Sequence, residues 1–220
     1  RLATERIRSR LLVHRDATGA AYGMLSVVPP RRDGFLGLAR DVVFVLDRSG
    51  SMGGVKMTSA ARACSLLLST LGPRDRFAIE AFDDRVEWFV PPGAGAKGEG
   101  WFVPADEAGI GRGDRFLRGI DARGGTELDG ALAEALELIR LRAPAAGRVP
   151  VVVLLTDGQI GDEGRVLKRI QTALGDARVF TVGIDTAVND GFLRRLAALG
   201  GGTSTFVEPG AALEEALRSV

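Results

Sequence analysis

One cysteine and one histidine in 220 residues exclude several chemistries before any motif is read. A lone Cys64 cannot close an internal disulfide, and no second thiol exists for a cysteine-type metal site. It stands in an apolar run with helical spacing (Ala60, Cys64, Leu67, Leu68, Leu71), the setting of a buried structural thiol. His14 is far in sequence from every other candidate group and reads as structural, so no Ser-His-Asp triad can be assembled around Ser49 or Ser51. No apolar run approaches the roughly 20 residues that cross a bilayer, so no membrane insertion is expected of this stretch. The first residues, Arg1 to Arg6, lack the apolar core of a signal peptide. The chain has no initiator Met and reads as a fragment of a longer protein. An excess of one charge sign is missing too. The 29 Lys and Arg against 28 Asp and Glu leave a net charge of +1, interspersed along the chain and unlike the basic stripe of a nucleic-acid binder.

The residues that are present follow the pattern of a globular domain, 45% hydrophobic and long enough to bury a substantial core. From about Asp41 onward, short β-branched runs alternate with amphipathic stretches. Asp41 to Leu46 is apolar without alternation, as in a strand covered on both faces. A helix is expected from about Val55 to Leu71, ending at the breaker pair Gly72-Pro73. Arg76–Phe82 and Val86–Val90 read as two strands joined at a tight Asp83-Asp84 turn, one of them antiparallel, with the two aspartates forming a solvated tip. Pro91 to Arg115, rich in Gly and Pro, reads as an irregular surface excursion ending in a short helix near 116–120. Then come helix 128–141, strand 151–155, helix 163–174, strand 178–184, helix 190–199, strand 203–207 and helix 210–218. Strands alternating with helices predict an α/β, doubly wound, Rossmann-like three-layer sandwich with a mostly parallel sheet and one antiparallel edge strand. Residues 1–38 break the alternation. Arg10–His14 and Ala21–Val28 around Asp16-Ala17-Thr18-Gly19 form a β-hairpin extension, so 39–220 is taken as the domain proper.

In sheets of this kind ligands gather beyond the carboxyl ends of the strands, where the winding reverses. Three loops there are rich in oxygen: Asp47-Arg48-Ser49-Gly50-Ser51-Met52-Gly53-Gly54, Gly124-Gly125-Thr126, and Thr156-Asp157-Gly158. Together they bring two carboxylates and three hydroxyls, from Asp47, Asp157, Ser49, Ser51 and Thr126, to one edge. A donor set of oxygens without His or Cys suits a hard cation, Mg²⁺ or Mn²⁺, one per chain.

In these residues the chain resembles a von Willebrand factor type A domain with a metal-ion-dependent adhesion site: Asp-x-Ser-x-Ser, then Thr, then Asp, over about residues 40–218. The wording from Asp41 to Met52, with Gly72 to Phe77 and Gly124 to Leu132, is similar to the heavy chains of inter-alpha-trypsin inhibitor and their bacterial relatives. In that group a β-rich domain called VIT precedes this one, and the resemblance implies that the hairpin is its connection. It also implies that Ser49, Ser51 and Thr126 ligate the metal directly while Asp47 and Asp157 act through bridging water. With uncharged direct donors, the metal stays electrophilic and takes an Asp or Glu carboxylate of a partner protein in its open position. Arg48, Met52, Gly125 and Gly158 would form the rim of that contact. The resemblance favours an extracellular or cell-surface setting.

Competing readings are weaker on the residues. Ser and Thr before helices are ordinarily caps, and Asp157-Gly158 alone makes a good turn. The loop 50–58 resembles a phosphate-binding turn but does not match Gly-x-x-x-x-Gly-Lys-[Ser/Thr]. An aspartyl nucleophile at Asp47 would be joined by a second carboxylate where Ser49 stands, so a Mg²⁺-dependent hydrolase is not expected. A metal-independent scaffold role is the other alternative. Trp88 and Trp101 are expected to pack, and Asp185 is read as loop polarity.

Overall fold

The structure, a computed structural model, describes residues 8–28, 38–142, 147–185 and 188–209. The expected helix 210–218 lies outside them. The chain divides into two compact units, residues 1–37 and 38–220. The first is the hairpin, β1 (Arg8–Arg15) paired antiparallel with β2 (Ala21–Val28) around a loop in which Asp16 accepts from the N–H groups of Thr18 and Ala20.

In the second unit β3 (Ala39–Asp47) is followed by α1 (Val55–Ser69), β4 (Arg76–Phe82), β5 (Val86–Trp88) and β6 (Val103–Pro104). Then come α2 (Glu107–Arg118), α3 (Leu128–Leu141), β7 (Arg148–Thr156), α4 (Glu163–Ala173), β8 (Arg178–Ile184), α5 (Asp190–Leu199) and β9 (Ser204–Val207). The sheet order is β5-β4-β3-β7-β8-β9, with β6 also on β4. Neighbours from β4 to β9 are parallel, while β5 and β6 are both antiparallel to β4. The expected single antiparallel edge strand is therefore two short ones.

Strand β3 feeds β4 on one side through α1, and the chain later returns to pair β7 on the other side. The winding thus reverses at β3, and the crevice beyond Asp47 and Thr156 is where the topology opens a site. Alternate side chains of β3 supply two cores. Val42, Phe44 and Leu46 pack with Ala60, Cys64 and Leu68 of α1 and Leu117 of α2. Val43 and Val45 pack with α3, α4 and α5 through Leu132, Ile139, Ile170 and Leu196. Both faces are covered, which is why the strand reads as an unbroken apolar run. Cys64 is buried in the first core, and burial pushes its thiol pKa far up.

Helix α2 corrects the expectation of an irregular stretch before residue 116. Gly109, Gly111 and Gly113 lower its intrinsic helicity, yet closeness requires two of them. A Cβ at Gly113 would meet the Phe77 ring at 3.0 Å, and one at Gly109 would meet the Pro104 carbonyl at 2.2 Å. The Asp106 carboxylate caps the helix by accepting from the Gly109 N–H at 2.7 Å. The same connection closes over the tryptophans. Trp88 and Trp101 pack at 5.6 Å between ring centroids, and the Trp88 indole N–H donates to Glu134.

At the opposite end of the sheet from the site loops, Asp41 is fully buried among arginines. Its Oδ1 accepts from Arg76 Nε at 2.9 Å and Arg148 Nε at 2.7 Å, and Arg142 lies 3.4 Å from Oδ2.

Candidate metal centre

Strand β3 ends with Asp47 completely buried. Its Oδ1 accepts from the Ser49 N–H at 2.9 Å and its Oδ2 from the Thr156 hydroxyl at 2.6 Å. The second bond ties the ends of β3 and β7 together. Burial pushes the Asp47 carboxyl pKa up; the Thr156 and Ser49 hydrogen bonds oppose this, and the nearby Asp157 charge adds to it. Two carboxylates thus share a desolvated site in which positive charge would be favoured.

After Asp47 the chain makes a single tight turn over Gly50–Met52 before α1. This turn brings the Ser49 and Ser51 hydroxyl oxygens to 3.1 Å from each other. Gly54, at φ +73° and ψ −128°, redirects the backbone into the helix, a conformation that costs glycine little. Met52 is fully buried and anchors the turn in the first core.

The second loop is bound to the first by its backbone. Gly50 N–H donates to the Gly124 carbonyl at 3.1 Å and Arg123 N–H to the Arg48 carbonyl at 2.7 Å. Gly124 has φ +70°, and a Cβ there would lie 3.0 Å from Asp83 Cβ. Half-buried Thr126 follows directly, two residues before α3. In the third loop, Asp157 is fully buried, and its Oδ1 accepts from the Gln159 N–H at 3.1 Å. All three oxygen-rich loops therefore lie beyond the carboxyl ends of β3 and β7, with direct bonds between the first and second and between the first and third.

Asp83 corrects the solvated-tip reading. Its side chain is 2% exposed and bridges Arg48 Nε at 3.0 Å and Arg123 Nε at 2.9 Å. Its carbonyl accepts from the Glu127 N–H at 2.8 Å and its Oδ1 from the Arg85 N–H at 2.8 Å. One residue thus holds the first loop, the Thr126 loop and the β4–β5 turn. The rim expectation changes with it. Arg48 is drawn inward by Asp83 and by Glu87 at 2.5 Å, Met52 serves the core, and Gly158 is buried beneath Asn189. Of the four rim residues only Gly125 is exposed.

Two further residues reach the site that sequence reasoning did not place there. The Lys56 ammonium donates to Asp157 Oδ2 at 3.1 Å and to Asp185 Oδ2 at 2.8 Å. Burial works against its charge, but the two carboxylates outweigh it and raise its pKa. Asp185, read as loop polarity, is thereby part of the cluster. A lysine in a first helical turn, where a cation is disfavoured, was the one available signal for Lys56.

The donor set fits a small hard cation. Two cis oxygens of an octahedron with bonds of about 2.0–2.1 Å stand about 2.9 Å apart, close to the 3.1 Å between the two serine hydroxyls. Among the described residues no three His, Cys, Asp or Glu side chains cluster for a metal. No helix among those residues is long and apolar enough to cross a membrane.

Known proteins share this fold. The von Willebrand factor type A domain profile matches residues 40–206. Human inter-alpha-trypsin inhibitor heavy chain H4 is 31% identical over 180 residues, covering 77% of this chain. The chain spans only 18% of that protein's length. Among solved structures, a von Willebrand factor type A protein from Catenulispora acidiphila superposes with a TM-score of 0.70 at 24% identity, covering 90% of this chain and 44% of the other. The manganese-loaded TRAP protein of Plasmodium vivax superposes with a TM-score of 0.63 at 18% identity, over 82% of this chain and 71% of the other.

Proposed function

The chain belongs to the von Willebrand factor type A domain family, and from that premise we propose that residues 39–220 form a protein-binding module holding one divalent cation, Mg²⁺ or Mn²⁺. Domains of this family mediate metal-dependent protein interactions. Ser49, Ser51 and Thr126 supply the direct protein ligands, and Asp47 and Asp157 act behind them through water. A bound cation would supply an electrophilic position for an Asp or Glu side chain of a partner. The observation that carries this reading is the 3.1 Å pairing of the serine hydroxyls above the buried Asp47 carboxylate. The chain's own part is preorganisation. Asp47 orients the Ser49 backbone, Thr156 fixes Asp47, and the Gly50 to Gly124 bond delivers Thr126. The exposed Gly125 leaves room for an approaching side chain. In the same reading the hairpin belongs to a preceding β-rich domain. Its exposed apolar side chains on both faces, Leu11, Val13 and Leu25 on one and Leu12 and Met24 on the other, support that.

Calorimetric titration of Mn²⁺ and Mg²⁺ into the metal-stripped chain tests the proposal. One ion per chain is expected, lost in Asp47→Ala and weakened at least tenfold in Thr126→Ala, with the melting temperature of the latter nearly unchanged. Absence of saturable binding in the wild-type chain sinks it, and global unfolding of Thr126→Ala assigns that residue a structural role instead.

A further inference from the structure

A monovalent cation is already built into this cluster. Lys56 is the second residue of α1, whose first turn carries no acidic side chain. The positive end of a helix disfavours another positive charge, so the local helix gives no reason for a lysine here. Its ammonium reaches the loops that follow β7 and β8 and sits between Asp157 and Asp185. The two oxygens of the buried Asp157 are then divided. Oδ1 serves its own turn through Gln159, and Oδ2 is held by Lys56.

We propose that Lys56 is a tethered competitor that sets the affinity of the site for divalent cations, an inference that rests on the cation-binding reading above. The ammonium cancels one unit of negative charge beside Asp47 and Asp157, which lowers the attraction felt by an incoming divalent ion. It also takes up Asp157 Oδ2, an oxygen through which that ion, or a water bound to it, would be held. In return it ties the start of α1 to the loops after β7 and β8 when no divalent ion is present, because the Asp157 and Asp185 carboxylates are not left to repel one another. The result is a preformed site of tempered affinity, whose occupancy follows the surrounding cation concentration and the arrival of a partner carboxylate. Without the lysine the site would hold its ion tightly at all times.

The test compares wild type with Lys56→Met, which keeps most of the aliphatic stem and loses the charge, and with Lys56→Arg, which keeps the charge. Mn²⁺ is titrated into the metal-stripped chains by calorimetry, and melting is followed with and without Mn²⁺. Lys56→Met is expected to bind one ion about tenfold more tightly than wild type, the size of a single-charge effect over this range in a partly wet site. That gap shrinks between low and high NaCl, since it is coulombic. The metal-free variant melts lower than wild type, and Mn²⁺ raises its melting temperature by more. Lys56→Arg stays within about threefold of wild type. Lys56→Gln, which retains a donor, gives the same reading if the methionine variant does not fold. Unchanged or weaker Mn²⁺ binding by a folded neutral variant, with wild type binding normally, overturns this inference alone. Failure of wild type and variants alike to bind overturns the cation-binding reading and this inference with it.

Discussion

Replacing Asp83 by asparagine removes the charge that the buried Arg48 and the Arg123 guanidinium share while keeping nearly the same shape. Arg48 is 4% exposed and, among the described residues, would be left with Glu87, which is half exposed. Breaking a buried ion pair by deleting one partner costs about 3–5 kcal/mol, and the surviving Glu87 contact places Asp83→Asn near the lower end, at about 3 kcal/mol at neutral pH. The pH dependence gives a second signature. Burial alone would raise the Asp83 carboxyl pKa, but Arg123, the Arg85 N–H and Arg48 hold it well below the ordinary carboxylate range. A depressed folded pKa contributes stability that is present above the unfolded value of about 3.9 and is lost as pH falls toward the folded value. The gap between wild type and variant should therefore narrow by about 1 kcal/mol between pH 6 and pH 3, at 1.36 kcal/mol per pH unit below the unfolded pKa. Urea denaturation at the two pH values reads both effects. Mn²⁺ affinity should fall as well, because the Asp83 carboxylate holds, through Arg123, the loop that carries Thr126. A loss below 1 kcal/mol with no change on acidification would mean that Asp83 is solvated, and the account of how the Thr126 loop is positioned would be refuted.

Glu80 works in the opposite sense. It is fully buried with both carboxylate oxygens unpaired among the described residues, and burial, with Glu134 adding to it, raises its pKa well above the usual value. A raised acid pKa costs stability above the unfolded value and not below it. Glu80→Met should gain about 1–3 kcal/mol at pH 7 in urea melts, the cost of an unsatisfied buried polar group, and the gain should shrink toward pH 4; a loss at pH 7 would show that the carboxyl has a partner. Gly113→Val should lose about 1–3 kcal/mol through overpacking against Phe77 and Ile79. Gly111→Val in the same helix, with open space at its Cβ, serves as the control and should stay close to wild type.

Where a segment's pattern served a single purpose, it could be read directly. Leu128–Leu141 and Arg178–Ile184 fall where the periodicity puts them, because one face of the helix and both faces of the strand meet apolar neighbours. Asp47, Ser49, Ser51, Thr126 and Asp157 could be singled out because they stand at strand ends or just ahead of a helix, positions that the alternation of elements locates. Helix α2 was obscured by glycines that serve close packing on β4 rather than chain reversal. The Asp106 cap and the Ile110, Leu117 spacing were its legible traces. Asp83 and Lys56 were obscured for a different reason. Their roles depend on partners 35 and 101 residues away, Arg48 and Asp157, and nothing local distinguishes Asp83 from an ordinary turn aspartate.

Strand β3 carries a buried aspartate near each end, and the two are neutralised differently. Asp41 is gripped by arginines from β4, β7 and the end of α3. Asp47, about 20 Å further along the same strand, is hydrogen-bonded to a hydroxyl and a backbone N–H. The arginine end works as a keel. It clamps the three central strands together at that end independently of the bonds among the loops at the other. A transplant of different loops onto this scaffold therefore starts by keeping Asp41, Arg76, Arg142 and Arg148 untouched.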